Sequence, residues 1–222
     1  MPGVLNDPKL DVLLPGLHLA SKAQDAAIER YYTHERKGPW LGMEPRDHAF
    51  MADKLVALDR EKAEFCYLTC RAIGARRIVE VGTSFGVSTI YLAAAVRDNG
   101  GGVVFAAENE PAKVRQARVN FERAGLAGLI DLHQGDVVQA CEHFSGPIDF
   151  VLFDVWGDVV RPVLDVLLPR LRTGAVICTD NTGGARSRAS YADLFEILED
   201  PAHGFRTMTV PFDGGLEMSI KL

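Results

Sequence analysis

The sequence has no uninterrupted apolar run that approaches the roughly 20 residues of a membrane-spanning helix. Residues 1–11 contain no basic stretch followed by an apolar core, so a secretory signal is not expected. Apolar residues nevertheless make up 47% of the chain, which is enough for a sizeable core. We therefore expect a soluble, cytoplasmic globular protein that has no membrane partner.

Paired cysteines are also absent. The four cysteines are Cys66, Cys70, Cys141 and Cys178, and no two of them stand in a C-x-x-C arrangement. The pattern supports neither a structural zinc site nor a dithiol redox motif. We expect the four thiols to be small buried side chains in a reducing compartment.

An excess of basic charge is the third feature that is missing. The 24 Lys and Arg residues are outnumbered by 30 Asp and Glu residues, and the formal net charge is −6. Binding to nucleic acid requires clustered Lys and Arg that neutralise phosphates. The composition therefore argues against a nucleic-acid partner and leaves a small-molecule substrate open.

What the sequence does contain, after residue 74, is an alternation of short apolar runs with helical patterns. Strands are predicted at 77–81, 103–107, 130–134, 148–153 and 175–179. Helices are predicted between them at 88–96, 111–124 and 163–171. The last two runs, 205–210 and 216–222, flank a turn and predict an antiparallel hairpin. The fold class is therefore α/β, with a doubly wound, Rossmann-like sheet.

The first 55 residues differ from the rest and are interpreted as an N-terminal helical segment or lid. Apolar residues recur at near-helical spacing up to Ile28, but Pro15 interrupts them, so short helices are expected there. A loop is expected at residues 37–42. A helical pattern then runs from 45 to 73, and residues 56–222 form the second, larger domain.

Ligands of doubly wound sheets bind beyond the carboxyl ends of the strands. The predicted strand ends carry one glycine, four acids and one amide: Gly82, Glu108, Asp136, Asp154, Asp180 and Asn181. One strand-end acid is explained by capping of the next helix. Capping accounts poorly for acids at four of five strand ends, so a ligand site is predicted at this edge.

The turn that starts at Gly82 and ends at Gly86 lets a ligand approach the backbone closely. It lacks the middle glycine of the G-x-G-x-x-G fingerprint, which cradles a pyrophosphate. A nicotinamide-dependent oxidoreductase is therefore the weaker alternative, and a nucleoside without phosphates is favoured. Glu108 ends the next strand, where a carboxylate can accept hydrogen bonds from both ribose hydroxyls.

Asp154, Asp180 and Asn181 follow two strands that we expect to be neighbours. Two carboxylates and one amide oxygen form a hard-oxygen set that suits Mg²⁺ or Ca²⁺. An ion there would lower the pKa of a bound hydroxyl and hold it as an oxyanion. The alternative is that Asp180 and Asn181 cap a turn before Gly183, and the spacing does not separate the two interpretations.

Taken in order, these motifs resemble the cation-dependent O-methyltransferases, the family of the catechol and caffeoyl-CoA methyltransferases. The matching segments are 79–89, 108–111, 135–136, 154–158, 168–181 and 210–216. Ordered agreement over residues 55–222 is more specific than any single motif. The resemblance implies that residues 56–222 form a methyltransferase domain, with a seven-stranded sheet whose last strand is antiparallel, and that they bind S-adenosylmethionine.

The resemblance also assigns site residues. The implied contacts with S-adenosylmethionine are Glu80, Gly82, Thr83, Ser84, Gly86, Ser88, Glu108, Asp136, Val137, Asp154 and Trp156. Trp156 is expected near the adenine, with a core aromatic at a helix start as the alternative. The implied ligands of Mg²⁺, or of Ca²⁺ or Mn²⁺, are Asp154, Asp180 and Asn181.

The sequence departs from the family at the residue usually assigned as the general base. A lysine is common three residues after the fourth-strand aspartate, with a tyrosine three further on, but Gly157 and Val160 stand here. Besides Asp154, the remaining candidates for catalysis are Lys62, which matches a lysine before the first strand of the catechol enzymes, and His48 in the N-terminal segment. The alternative for Lys62 and His48 is an ordinary surface position.

The expected activity is in-line methyl transfer to a small hydroxylated acceptor such as a phenol or catechol, assisted by a divalent cation, in a homodimer. The residues expected to shape the acceptor pocket or a dimer contact are Tyr31, Tyr32, Trp40, Met43 and Phe50. Two alternatives remain: a protein that binds S-adenosylmethionine without turnover, and a methyltransferase that needs no metal.

Overall fold

The structure is a computed structural model that describes residues 3–36 and 43–222. Its strands are β1 (Arg77–Val81), β2 (Val103–Glu108), β3 (Ile130–Gln134), β4 (Ile148–Phe153), β5 (Leu171–Asp180), β6 (Phe205–Val210) and β7 (Leu216–Lys221). The helices are α1 (Pro8–Lys22), α2 (Asp25–Arg30), α3 (Pro45–Met51), α4 (Arg60–Ala72), α5 (Val87–Asp98), α6 (Pro111–Ala124), α7 (Val137–Glu142), α8 (Gly157–Leu167), α9 (Ala185–Ser190) and α10 (Ala192–Glu199).

The strands form one seven-stranded sheet in the order β3-β2-β1-β4-β5-β7-β6. β1 pairs in parallel with β2 and β4, and the pairs β2–β3 and β4–β5 are also parallel. β7 runs antiparallel to both β5 and β6. The expected mixed sheet with one antiparallel closing strand is confirmed.

Helices cover both faces of the sheet. On β4, Phe150 and Leu152 point into the core beneath α1, α4, α5 and α6. Val151 and Phe153 point to the other face, into the core beneath α7, α8 and α10. Strands that are buried on both faces are continuous apolar runs, which is why β1, β2, β4 and most of β5 were recognisable in the sequence, whereas β3 at the sheet edge gives a weaker pattern.

The N-terminal segment contains one long helix rather than the short helices expected around Pro15. Asp7 caps α1 by accepting from the backbone N–H of Lys9 at 2.9 Å. Four leucines of α1 are buried against the domain: Leu10, Leu13, Leu14 and Leu17. Pro15 removes one backbone hydrogen bond, but burial of the leucine stripe outweighs that loss. The expectation of short helices was therefore wrong.

Two other boundaries also differ from the sequence prediction. The helical pattern at 45–73 is broken into α3 and α4, and α8 begins at Gly157 rather than at residue 163. The short helices α9 and α10 were not predicted. The four cysteines are buried and free, as expected. Among residues 3–36 and 43–222, no helix is long and apolar enough to cross a membrane.

The aromatic residues of the N-terminal segment pack against one another. Tyr31 stacks on Phe50 with ring centroids 3.9 Å apart, and its hydroxyl donates to Asp47 at 2.8 Å. Asp47 is fully buried and also accepts from Arg36 at 3.1 Å. The loop predicted at residues 37–42, which includes Trp40, lies outside the described residues. The proposed role of these aromatic residues in an acceptor pocket stays a prediction.

Asp149 on β4 connects three strands at the amino edge of the sheet. Its Oδ2 accepts from the backbone N–H of Arg76 and of Arg77, both at 2.8 Å, and its Oδ1 accepts from the Arg172 guanidinium. Burial acts to raise the pKa of Asp149, but the hydrogen bonds from Arg172 and the two amides outweigh it and lower this pKa below the usual 3.8.

A carboxyl whose pKa is lowered by folding stabilises the fold above its ordinary pKa, and this stabilisation is lost as the pH falls through the folded pKa. We expect Asp149→Asn to lower the free energy of unfolding by about 1–3 kcal/mol at pH 7. The difference should shrink below pH 3.8. Denaturant unfolding at pH 7 and at pH 3 measures it, with Asp193→Asn on exposed helix α10 as the control. An equal difference at both pH values would contradict this account of Asp149.

Candidate active site

The carboxyl end of β1 leads into a tight turn that comes close to β4. Gly82 has a φ of +96°, and a Cβ there would lie 2.1 Å from the carbonyl oxygen of Asp154, so a larger residue is excluded on both counts. Ser84 is also left-handed, with a φ of +49°. The buried amide of Asn120 donates to the carbonyl of Phe85 at 2.9 Å and fixes the turn from α6.

Glu108 lies beside this turn at the end of β2, and both of its carboxylate oxygens are held by backbone amides. Oε2 accepts from the N–H of Ser84 at 2.7 Å, and Oε1 accepts from the N–H of Glu110 at 2.9 Å. A carboxylate oxygen has two lone-pair sites, so each oxygen keeps one acceptor position. Glu108 is therefore fixed in place and still able to bind a pair of hydroxyl groups.

Glu80 lies beneath the turn and is fully buried. Its Oε2 accepts from the hydroxyls of Thr89 and Thr83, the latter at 3.3 Å. Burial raises the pKa of Glu80 to about 7, although the hydroxyls of Thr89, Ser88 and Thr83 oppose the shift. The carboxyl is thus poised to change its charge near neutral pH.

Several buried oxygen atoms at this edge have no hydrogen-bond partner within the described part of the chain. Two, Glu80 Oε1 and Ser84 Oγ, belong to the region of the glycine turn. Two more, Thr179 Oγ1 and Thr182 Oγ1, flank Asp180 and Asn181. Unsatisfied buried polar atoms are costly, so their clustering in two places at one sheet edge indicates sites for a polar ligand.

The third and fourth strand ends contribute differently from the first two. Asp136 is exposed, and it caps α7 by accepting from the N–H of Val138 at 2.9 Å and of Gln139 at 3.0 Å. Val137 packs partly buried against the core. Trp156 precedes α8 and is 42% exposed, which removes the alternative of a core aromatic.

Lys62 is the residue whose position differs most from the sequence expectation. It is 2% exposed, so the alternative of a surface position is wrong. Its Nζ donates to Asp180 Oδ1 at 2.6 Å and lies 3.5 Å from Asp59 Oδ2. The Asn181 amide donates to Asp180 Oδ2 at 2.9 Å. Both oxygens of Asp180 therefore receive hydrogen bonds from the chain itself.

The two aspartates of this edge affect each other. Burial raises the pKa of Asp154 well above its usual value, repulsion from Asp180 and Glu80 adds to the shift, and Lys62 opposes it. Burial also raises the pKa of Asp180, against the direct hydrogen bond from Lys62. The ammonium thus limits the charge repulsion between two carboxylates in a poorly solvated place.

The donor types at Asp154, Asp180 and Asn181 suit a divalent cation, but their arrangement does not fit one. Lys62 occupies one oxygen of Asp180 and the Asn181 amide occupies the other. Each oxygen keeps one acceptor position, but a dication bound there would be repelled by the ammonium of Lys62 next to it. The cation therefore stays a prediction, and the contacts favour the alternative without one.

His48 is exposed on α3. Its backbone N–H donates to the carbonyl of Glu44 at 3.1 Å, and within residues 3–36 and 43–222 its imidazole makes no hydrogen bond or ion pair. Its catalytic role stays a prediction without structural support.

The comparisons with known proteins find methyltransferases. A family model described as a methyltransferase domain matches residues 79–182. A catechol O-methyltransferase of Mycobacterium tuberculosis is 32% identical over 142 residues, which are 62% of this chain and 64% of that protein. The chain spans 64%, 58% and 51% of the first curated relatives that it matches, less than two thirds of each.

Solved structures extend the likeness over nearly the whole chain. The cofactor-bound Rv0187 from MTB is 26% identical with a TM-score of 0.67, covering 88% of this chain and 95% of that one. An O-methyltransferase from Bacillus cereus in complex with SAH shares the fold, with 22% identity, a TM-score of 0.64 and coverage of 92% and 100%. In sequence and in fold, this chain is similar to the catechol and caffeoyl-CoA O-methyltransferases.

The position at which the catechol and caffeoyl-CoA enzymes commonly carry a lysine is closed in this chain. A Cβ on Gly157 would lie 2.0 Å from the carbonyl oxygen of Ser190 and 3.4 Å from Tyr191 Cδ1. Tyr191 is itself fixed, because its hydroxyl donates to the carbonyl of Val155 at 2.8 Å. The segment that joins α9 to α10 therefore takes the space that a side chain at 157 needs.

Sequence reasoning missed two residues that support the site. Asn120 interrupts the apolar stripe of α6, on the same buried face as Ala117 and Phe121, and a polar residue in that stripe was a usable signal. Tyr191 gave no signal, because its role depends on a contact with Val155 from a distant part of the chain.

The buried carboxyl of Glu80 should make the free energy of unfolding depend on pH. Because its folded pKa lies near 7 rather than at 4.5, the free energy of unfolding falls as the pH rises between these values. The full effect is about 3 kcal/mol. We therefore expect Glu80→Gln to gain stability relative to wild type between pH 4.5 and 7 and to change little outside that range.

Denaturant unfolding across this pH range measures the difference, and Glu122→Gln on the exposed face of α6 serves as the control. A difference between Glu80→Gln and wild type that is the same at every pH would contradict the raised pKa of Glu80.

Proposed function

We propose that this protein transfers the methyl group of S-adenosylmethionine to the hydroxyl oxygen of a small acceptor, with phenols and catechols as the expected class. The observation that carries the proposal is Glu108. Its carboxylate is oriented by the amides of Ser84 and Glu110, beside a turn too tight for any side chain at Gly82. Similarity to proteins named catechol and caffeoyl-CoA O-methyltransferase supports the same activity.

The cofactor side of the site follows from these contacts. The free acceptor positions of Glu108 suit the two ribose hydroxyls. The unpartnered Ser84 Oγ and Glu80 Oε1 suit the charged amino acid part of the cofactor. Trp156, exposed before α8, suits the adenine face. The absence of a pyrophosphate-type glycine fingerprint agrees with a nucleoside cofactor that carries no phosphate.

Methyl transfer depends mainly on how the enzyme positions the two reactants, and less on covalent catalysis by the protein. The acceptor oxygen forms a bond to the methyl carbon while the carbon–sulfur bond breaks, and sulfur keeps the electron pair. The products are the methyl ether, S-adenosylhomocysteine and one proton, which passes to water. Holding the oxygen in line with the methyl group supplies most of the rate acceleration in such a reaction.

The acceptor is expected at the second group of unpartnered oxygens. Thr179, the last residue but one of β5, and Thr182, two residues after its end, carry these unpartnered oxygens. A divalent cation, which the family resemblance implies, would bind Asp154, Asp180 and Asn181 and acidify the acceptor hydroxyl. The contacts of Lys62 favour the alternative without a metal, so the steps above do not use one.

Two measurements test the proposal. Isothermal titration calorimetry with S-adenosylmethionine and S-adenosylhomocysteine should give binding of one molecule per chain, and the lack of binding would refute it. Turnover against a panel of phenols, catechols and aliphatic alcohols then separates an enzyme from a protein that only binds the cofactor. The expected homodimer is tested in the same preparation by its mass in solution.

The role of Glu108 is tested by substitution. Glu108→Gln keeps the size of the side chain but loses the charge and one acceptor, so it should weaken binding of S-adenosylhomocysteine by about 10–100-fold. Calorimetry measures the change, with Glu122→Gln as a matched control on the surface. Unchanged affinity in Glu108→Gln would exclude a ribose contact at this residue.

A further inference from the structure

A cation that belongs to the chain, the Lys62 ammonium, is bonded to Asp180, and its charge acts to lower the pKa of Asp154. We propose that the Lys62 ammonium takes the place of the divalent ion in this protein, so that its methyl transfer needs no metal. This inference rests on the proposed function and concerns the acceptor side of the same site. Lys62 acts as a positioning residue, since it orients Asp180 rather than touching the acceptor.

The first support is the geometry of the ion pair. The Nζ–Oδ1 distance of 2.6 Å from Lys62 to Asp180 is that of a direct charge-assisted hydrogen bond. A second carboxylate oxygen, Oδ2 of Asp59 at the start of α4, lies 3.5 Å from the same Lys62 Nζ. A buried ammonium has lost its water shell and needs such partners. The two carboxylates therefore hold the Lys62 side chain in this position.

The second support is enclosure. α4 carries Lys62, and the hairpin between β6 and β7 closes over it. A Cβ on Gly214 would lie 3.5 Å from Lys62 Nζ and 2.8 Å from Asn181 Oδ1, so hairpin backbone approaches both groups. Phe65 of α4 packs edge-on against Phe212 of the hairpin with ring centroids 5.5 Å apart. The hairpin therefore covers one side of the pair that Lys62 forms with Asp180.

The third support is the closed position at Gly157. The lysine common at this place in the family has no room here, because the Ser190 carbonyl would lie 2.0 Å from its Cβ. Lys62 of α4, which matches a lysine of the catechol enzymes, reaches the carboxylate of Asp180 at the end of β5. One buried lysine thus supplies the positive charge of the site from a different element.

Metal binding provides a readout that does not depend on activity. Mn²⁺ should be titrated into the full chain, with the free ion followed by electron paramagnetic resonance. Wild type should leave the Mn²⁺ free, whereas Lys62→Met, which exposes both carboxylates without their counter-ion, should bind one ion per chain. Lys22→Met on the exposed end of α1 is the control for the lost charge and should behave as wild type.

Turnover provides the second arm. Wild type treated with a chelator should keep its rate, and Lys62→Met should lose activity by about 100-fold and regain part of it with Mn²⁺. Binding of S-adenosylhomocysteine to Lys62→Met shows that the variant is folded. If the variant does not fold, Mn²⁺ binding and chelation of wild type decide alone.

Two outcomes would overturn the inference. One is a wild type that binds one Mn²⁺ per chain and stops turning over when it is chelated. The other is a folded Lys62→Met that binds no Mn²⁺. Failure of the proposed function has a different signature, because wild type would then bind neither S-adenosylmethionine nor S-adenosylhomocysteine, whatever the result with Mn²⁺.

Discussion

The covering of both sheet faces by helices is the constraint that decides where chemistry can occur in this protein. The parallel strands pair along their length and carry mostly apolar side chains on each face, so the polar groups they offer to a ligand lie towards their carboxyl ends. Only where the strands stop do backbone amides and acids become accessible together. The turn at Gly82 and the side chains of Glu108, Asp154 and Asp180 all belong to this one edge.

Several buried acids at one edge cost electrostatic free energy, and the positive charge of Lys62 reduces this cost. Glu80, Asp154 and Asp180 all have raised pKa values because burial disfavours their charged forms. The ammonium bonded to Asp180 offsets part of that cost. Removing one partner of a buried ion pair typically costs about 3–5 kcal/mol, because the other charge is left without a counter-ion. The pair therefore also fixes α4 against the end of β5.

The sequence allowed the sheet and the cofactor side to be predicted because both depend on local signals. The buried strands are apolar runs, and the turn from Gly82 to Gly86 and Glu108 each lie within a few residues of a strand end. The helix across Pro15 could not be predicted, since local propensity argued against it and only the burial of its leucines reverses the outcome. The early start of α8 is a similar case, because its first turn carries Gly157.

The acceptor side depends on contacts between distant parts of the chain, and motif matching cannot supply those. Lys62 and Asp180 are 118 positions apart, so no spacing rule relates them. Likewise, the sequence shows only that the lysine is absent at 157. The structure shows why glycine is required there, because the Ser190 carbonyl leaves no room for a side chain. A lysine restored at 157 would collide with the segment that joins α9 to α10. The glycine at 157 and the buried lysine at 62 are therefore related features. A side chain at 157 has no room beside the acidic edge, and Lys62 supplies positive charge to that edge from α4.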